Sequence, residues 1–178
     1  MTDALPIGVN AAVELSKEGG ACLRAGDYSG ASRCFRKGLE LEPDNAVLMI
    51  QLGMLCCKLG RGEEGLALFE RAAEVDPKQI QAYHQLGIYW SRRCRDDLAE
   101  PMFRRCIELN NRDVRARHQL GLLFVKQDRC REAWNVFTKI LKYDPRNPQA
   151  LSELDKLHIR IGEQRAAQQQ AEAQVSDG

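Results

Sequence analysis

Two periods are superposed in the apolar residues of this chain. Met49, Leu52, Cys56 and Leu59 fall on one stripe of a helix, and Leu66, Phe69 and Ala73 fall on the stripe of a second. Gly60 to Gly62 supplies the turn between them. The longer period is 34 residues. Leu52-Gly53 returns as Leu86-Gly87 and Leu120-Gly121, phenylalanine fills the column 35, 69, 103 and 137, and Gly65 shares a small-residue column with Ala31, Ala99 and Ala133. Pro77 lies between Pro43 and Pro145 at the same spacing. A period of this size means stacked two-helix units, each unable to bury its apolar face alone. Gly53 and Gly65 remove the side chains that would hold two helix backbones apart, and Phe69 fills the space beside them.

Four repeats follow, at 12–45, 46–79, 80–113 and 114–147. With these landmarks the chain resembles the tetratricopeptide repeat family over about four fifths of its length. The resemblance implies an all-α fold, an α-α superhelix (solenoid) of antiparallel helix pairs whose first helices line a concave groove for a segment of another protein.

Residues 1–9 read as a loose tail, with Asn10 as N-cap of the first helix and Glu14 in its first turn. The first repeat is degenerate: Glu18 stands in the column of Leu52, and Gly19-Gly20 weakens the helix by roughly 1 kcal/mol per glycine. It reads as a capping unit, the alternative being an arm that docks on another molecule. Trp90, in the column of Cys22, Cys56 and Phe124, reads as core. Pro101 lies inside the second helix of repeat three, where it costs a hydrogen bond or bends the helix unless that helix starts later. Asn147 before Pro148 is an N-cap before a proline at the first helical position, so another helix begins there. Its stripe is Leu151, Leu154, Leu157 and Ile161, with Asp155 replacing the glycine of that column, and no second helix is expected after it. The segment 148–170 reads as a capping helix that shields the flank of repeat four, and 171–178 as a flexible tail.

Composition narrows the class. Lys+Arg 26 against Asp+Glu 25 leaves a net charge of +1, so no overall field draws in nucleic acid or membrane. No run of 18 apolar residues exists and the start lacks a basic-then-apolar leader, which predicts a cytoplasmic chain that reaches a membrane or assembly only through a partner. Seven cysteines, without CxxC or Cys/His ligand spacing, read as reduced thiols, with Cys22, Cys56 and Cys106 in packing columns.

Candidate binding residues are first-helix positions outside the packing stripe. Met54, Ile88 and Leu122 form an apolar column, Gln51, Gln85 and Gln119 an amide column, and His84 and His118 align with Ile50; Cys57 lies beside them. An apolar strip with flanking amides suits an extended peptide, the amides pairing with its backbone. The structural alternative is packing between neighbouring repeats. A further column is cationic throughout: Arg24, Lys58, Arg92, Lys126 and Arg160. Two readings fit it: compensation of the helix dipole in each last turn, about 0.3–1 kcal/mol apiece, or an electrostatic ladder for an acidic partner, reinforced by Gln81 and Arg115. The family's clamp for chaperone C-terminal tails is not expected. Its positions carry Ser16, Gly20, Gln51, Gln81 and Gln85, or, one repeat on, Ile50, Met54, Gln85, Arg115 and Gln119.

Catalytic signals dissolve on inspection. Gly60-Arg61-Gly62-Glu63-Glu64-Gly65 matches G-x-G-x-x-G, but no strand precedes it and two glutamates would face a pyrophosphate. His84, His118 and Cys57 come from different helices and do not make a metal site, and no cofactor is expected. The expectation is a non-enzymatic scaffold, adaptor or chaperone that binds a protein segment, acidic and partly apolar. The alternative is a self-assembling scaffold in which the first repeat or the tail of one copy enters the groove of the next.

Overall fold

The computed structural model describes the backbone of residues 7–176 and the side chains of residues 11–169. Those residues form α1 (Ile7–Arg24), α2 (Tyr28–Leu41), α3 (Ala46–Lys58), α4 (Gly62–Val75), α5 (Ile80–Arg92), α6 (Asp96–Leu109), α7 (Val114–Lys126), α8 (Cys130–Tyr143) and α9 (Pro148–Ser176), with no strand among them. First helices from α3 onward begin at Ala46, Ile80, Val114 and Pro148, and second helices at Tyr28, Gly62, Asp96 and Cys130, so the 34-residue period of the sequence is the period of the structure. The chain divides into two compact units, Met1–Tyr89 and Trp90–Gly178, with the division inside α5.

Local chemistry sets the boundaries. Asn45, Asp113 and Asn147 each accept a hydrogen bond from the backbone N–H three residues on, at 3.0 Å, and so start α3, α7 and α9. First helices end in a left-handed residue one 34-residue step apart: Gly26 (φ 79°), Gly60 (φ 80°), Cys94 (φ 57°) and Asp128 (φ 59°). Three-residue turns then lead into the second helices, where Glu63 and Glu64, Asp96 and Asp97, and Glu132 lie in the first turns and favour the positive helix ends.

In the first unit Phe35 and Phe69 are wholly buried, with Leu48, Leu52, Leu55 and Cys56 around Phe35. A Cβ on Gly53 would stand 2.6 Å from the Phe69 ring, and one on Gly65 would stand 2.5 Å from Cys57 Sγ, so both glycines are needed for close helix approach. In the second unit Phe103, Phe137 and Ile140 are fully buried, and Gly121 abuts Phe137 as Gly53 abuts Phe69.

Several expectations need correction. Helix α1 begins at Ile7, inside the segment read as tail, and Asn10 is a helical residue rather than a cap: the helical penalty of asparagine, about 0.7 kcal/mol, does not halt a helix. Gly19 is a packing residue and not a defect, because a Cβ there would collide with the Phe35 ring. Leu59, assigned to the packing stripe, is the C-cap of α3 and 44% exposed. On α9 the buried stripe is Ala150, Leu154 and Leu157, while Leu151 is 44% exposed; it shares a column with buried Met49, but among the described residues no further helix packs over it. Cys56 and Cys106 are buried as expected, whereas Cys22 and Trp90 are only half-buried.

Helix α6 starts at Asp96, so Pro101 lies within it. Pro101 is exposed, so the helical hydrogen bond it cannot make belongs to the solvent side, where water can serve the carbonyl left over. Helix α9 runs on to Ser176, beyond the cap at 170 and into the expected tail, passing straight through Gly162. Gly162 stands one step after Asp128 in the left-handed column, but the phenylalanine column continues there as Ala171. With no aromatic to bury, a reversal at Gly162 would gain too little packing to repay the broken helix.

Candidate partner-binding surface

The first unit carries Ile50, Gln51, Met54, Cys57, Lys58, Gln81, His84, Gln85 and Ile88. Ile50 is 1% exposed and belongs to the core, which removes it from any contact surface. Its column begins with Ser16, whose hydroxyl donates to Gln51 Oε1 at 2.8 Å, so this amide already ties α3 to α1. Met54 is 42% exposed, a large apolar side chain on helix α3 that the core does not use. Gln81 Nε2 stands 4.0 Å from Met54 Sδ, a weak contact that sets an exposed amide beside the thioether. His84, Gln85 and Ile88 are half-buried, and Cys57 packs against Gly65.

In the second unit Arg92 and Arg115 are exposed, and His118, Gln119 and Leu122 are half-buried. The His118 imidazole meets the Phe137 ring edge-on at 5.8 Å. Burial lowers its pKa below the ordinary range, against a smaller upward pull from Glu153, so the ring is neutral at pH 7. A neutral histidine against a core aromatic is packing more than charge.

The cationic column has a use that neither sequence reading foresaw. Lys58 Nζ lies 4.8 Å from the centre of the Tyr28 ring, Lys126 Nζ lies 3.0 Å from Asp96, and Arg160 lies 2.6 Å from Asp128. Each cation reaches back to the preceding helix pair, at the start of its second helix or in the turn before it, so these three stitch neighbouring repeats together. Lys126 and Arg160 thereby have carboxylate partners within the molecule, while Lys58 has a ring face.

A second stitch went unread in the sequence. Arg129, just before α8, is 2.6 Å from Glu100 on α6 and from Glu132 on α8, and its guanidinium lies 4.2 Å from the centre of the Phe124 ring. Burial pushes the Glu100 carboxyl up, but hydrogen bonds from Arg129 and Arg104 outweigh it and hold the group below the usual range. The arginine column 61, 95 and 129 was the available signal. Burial drives the Cys106 thiol up to about 12, with Asp113 adding to it, and burial also raises Cys56; these sulfurs are protonated, unreactive core groups. Among the described residues no three metal-ligating side chains gather, and no helix is long and apolar enough to cross a membrane.

The family model described as tetratricopeptide repeat matches residues 23–87, the stretch from the end of α1 to the middle of α5. The same helix spacing continues to the start of α9. Residues 23–87 are thus similar to the tetratricopeptide repeat family. The all-α repeat fold of the chain is shared by solved structures: PilF of Pseudomonas aeruginosa (20% identity, TM-score 0.79, covering 91% of this chain and 74% of that one) and MamA from Desulfovibrio magneticus RS-1 (19%, 0.74, 93% and 92%). The first tetratricopeptide domain of Spaghetti, bound to the HSP90 peptide SRMEEVD, is similar at 20% identity and a TM-score of 0.63, over 67% of this chain and 97% of that one. No curated protein sequence matches this chain.

Proposed function

We propose that this helical-repeat protein is a non-catalytic interaction module that binds a segment of another protein on its first-helix faces. The observation that carries the reading is Met54: 42% exposed, it stands at the repeat position of half-buried Ile88 and Leu122, with the Gln81 amide beside it. A solvent-facing thioether beside the exposed Gln81 amide suits a partner that inserts an apolar side chain while its backbone pairs with that amide. A chain of this fold that holds the peptide SRMEEVD supports the general mode. The carboxylate clamp of chaperone tails stays outside the proposal, since one register requires core residue Ile50 and the other requires Gly20.

The test is capture of partners from lysate by the wild-type chain and by Met54→Glu with Leu122→Glu, each paired with a thermal melt. The reading expects capture to be lost while the melt is preserved. A matching fall in stability would assign both side chains to the core. A second reading, self-assembly, is favoured by Ile159 and Leu151 on α9, 64% and 44% exposed. Light scattering of the full chain over a concentration series decides it, since a constant monomer mass would rule assembly out.

A further inference from the structure

One arginine breaks the rules of its own repeat. Arg117 on α7 stands in the column Leu15, Met49, Tyr83 and Leu151, apolar or aromatic in every other repeat. It is 6% exposed, and among the described residues its Nη1 has no hydrogen-bond acceptor. Its guanidinium lies 5.2 Å from the centre of the Tyr143 ring at the end of α8, and Arg112, in the turn before α7, lies 6.0 Å from the same ring. A ring face offsets part of a cation's charge but accepts none of its in-plane N–H donors. The neighbouring sequence departs from the repeat in the same direction. The column Glu40, Glu74 and Glu108 ends in Lys142, while Arg115 and Arg146 add two more exposed cations nearby in sequence. None of Arg112, Arg115, Arg117, Lys142 and Arg146 forms an ion pair among the described residues.

We propose that this corner of the fourth repeat is a carboxylate-binding site, which takes an Asp- or Glu-rich segment of a protein partner. Burying a guanidinium nitrogen without an acceptor is costly, and an apolar residue at the same place would serve the fold at least as well. The acceptor is therefore supplied from outside. A carboxylate matches the planar fork of Arg117, with Arg112 and Lys142 drawing in the next acidic side chain. Tyr143, 45% exposed on the last turn of α8, roofs the guanidinium and swings aside as the carboxylate enters. In this site the cations have, among the described residues, no carboxylate of their own, whereas Lys126 and Arg160 of the cationic column are already paired with Asp96 and Asp128. The site rests on the interaction-module reading only in taking its carboxylates from a protein, and its test involves none of the first-helix residues of that reading.

The experiment is calorimetric titration of the full chain at low salt with a terminally blocked hexaglutamate peptide. Hexaglutamine, inorganic phosphate and anionic phospholipid vesicles serve as separate arms, and the Arg117 Nε–Hε resonance is followed in parallel. Hexaglutamate should bind and shift that resonance, and salt should weaken it. Arg117→Met should lower affinity about tenfold or more while leaving the melting temperature equal to or above wild type. Lys142→Glu, on the surface, restores the acidic column and should weaken binding severalfold with the melt unchanged, which keeps the test decisive if Arg117→Met folds poorly. Equal hexaglutamate affinity in wild type and Lys142→Glu would overturn the proposal. So would binding of phosphate or vesicles without hexaglutamate.

Discussion

The same substitution, glycine to alanine, should move this protein in opposite directions at two helical sites. At Gly121 an added Cβ would lie 2.5, 2.8 and 2.9 Å from three atoms of the Phe137 ring, which is wholly buried. Carbon atoms rest at about 3.5–4.0 Å, so the ring must retreat by about 1 Å into a packed core. Overpacking of this kind costs about 1–3 kcal/mol, and the fully buried ring places Gly121→Ala in the upper half of that range. The gain in helix propensity returns about 1 kcal/mol, leaving a net loss of about 1–2 kcal/mol. At Gly162 a Cβ meets nothing within 4 Å, so Gly162→Ala keeps only the propensity gain of about 1 kcal/mol in α9. For a unit of this size 1 kcal/mol moves the melting point by about 4–8 °C. Circular dichroism melts of the two variants should therefore part in opposite senses around wild type. Adding Phe137→Leu to Gly121→Ala should recover part of the loss, a coupling of about 0.5 kcal/mol or more in a double-mutant cycle. A Gly121→Ala protein as stable as wild type would refute the packing argument, because the ring would then have room that the geometry denies it.

Two further outcomes follow from the stitches between helix pairs and from the turns. Arg129→Ala should cost about 1–3 kcal/mol by urea denaturation, since it strips a half-buried carboxylate and a ring face of their partner; because the folded pKa of Glu100 is depressed, the carboxylate's part is present above the ordinary carboxylate range and is lost as pH falls through the folded value, so the gap between wild type and variant should narrow in acid. Cys94→Gly should raise the melting temperature, because Cys94 is exposed at φ 57° and a left-handed non-glycine residue costs about 1–2 kcal/mol, and an unchanged melt would mean that the turn is not under strain.

Repetition made the fold legible before any coordinate. Glycine and phenylalanine columns at a 34-residue spacing, which meet at Gly53–Phe69 and Gly121–Phe137, state both the helix pairing and its closeness, and Asn147-Pro148 gives the start of α9 to the residue. Repetition also misled where a column changes its surroundings at a chain end. Leu151 carries the same apolar signal as Met49, but burial needs a neighbour as well as a side chain, and none of the described residues forms a second helix over α9. Gly19 misled in the opposite way: read by propensity it weakens α1, whereas against Phe35 it is what lets α1 and α2 meet.

The candidate surface was less legible, because a column of like residues specifies a position in the repeat without specifying what stands opposite. In the sequence the five cations 24, 58, 92, 126 and 160 point only to the helix that carries them or to an acidic ligand. Their partners Tyr28, Asp96 and Asp128 lie about thirty residues upstream, at the start of a second helix or in the turn before it, and are not alike: Tyr28 and Asp96 share a column but differ in chemistry, and Asp128 stands in another. Likeness within a column marks what the repeat needs for stacking, and the more informative signal for binding is the residue that departs from its column at a cost to the fold. Arg117 among leucine, methionine and tyrosine, and Lys142 after three glutamates, are departures of that kind. Ile50 shows the converse: it departs from the serine and histidines of its column toward greater burial, and the core accounts for it without a ligand. A departure that gains burial belongs to stability, and one that buries an unmet donor calls for a partner.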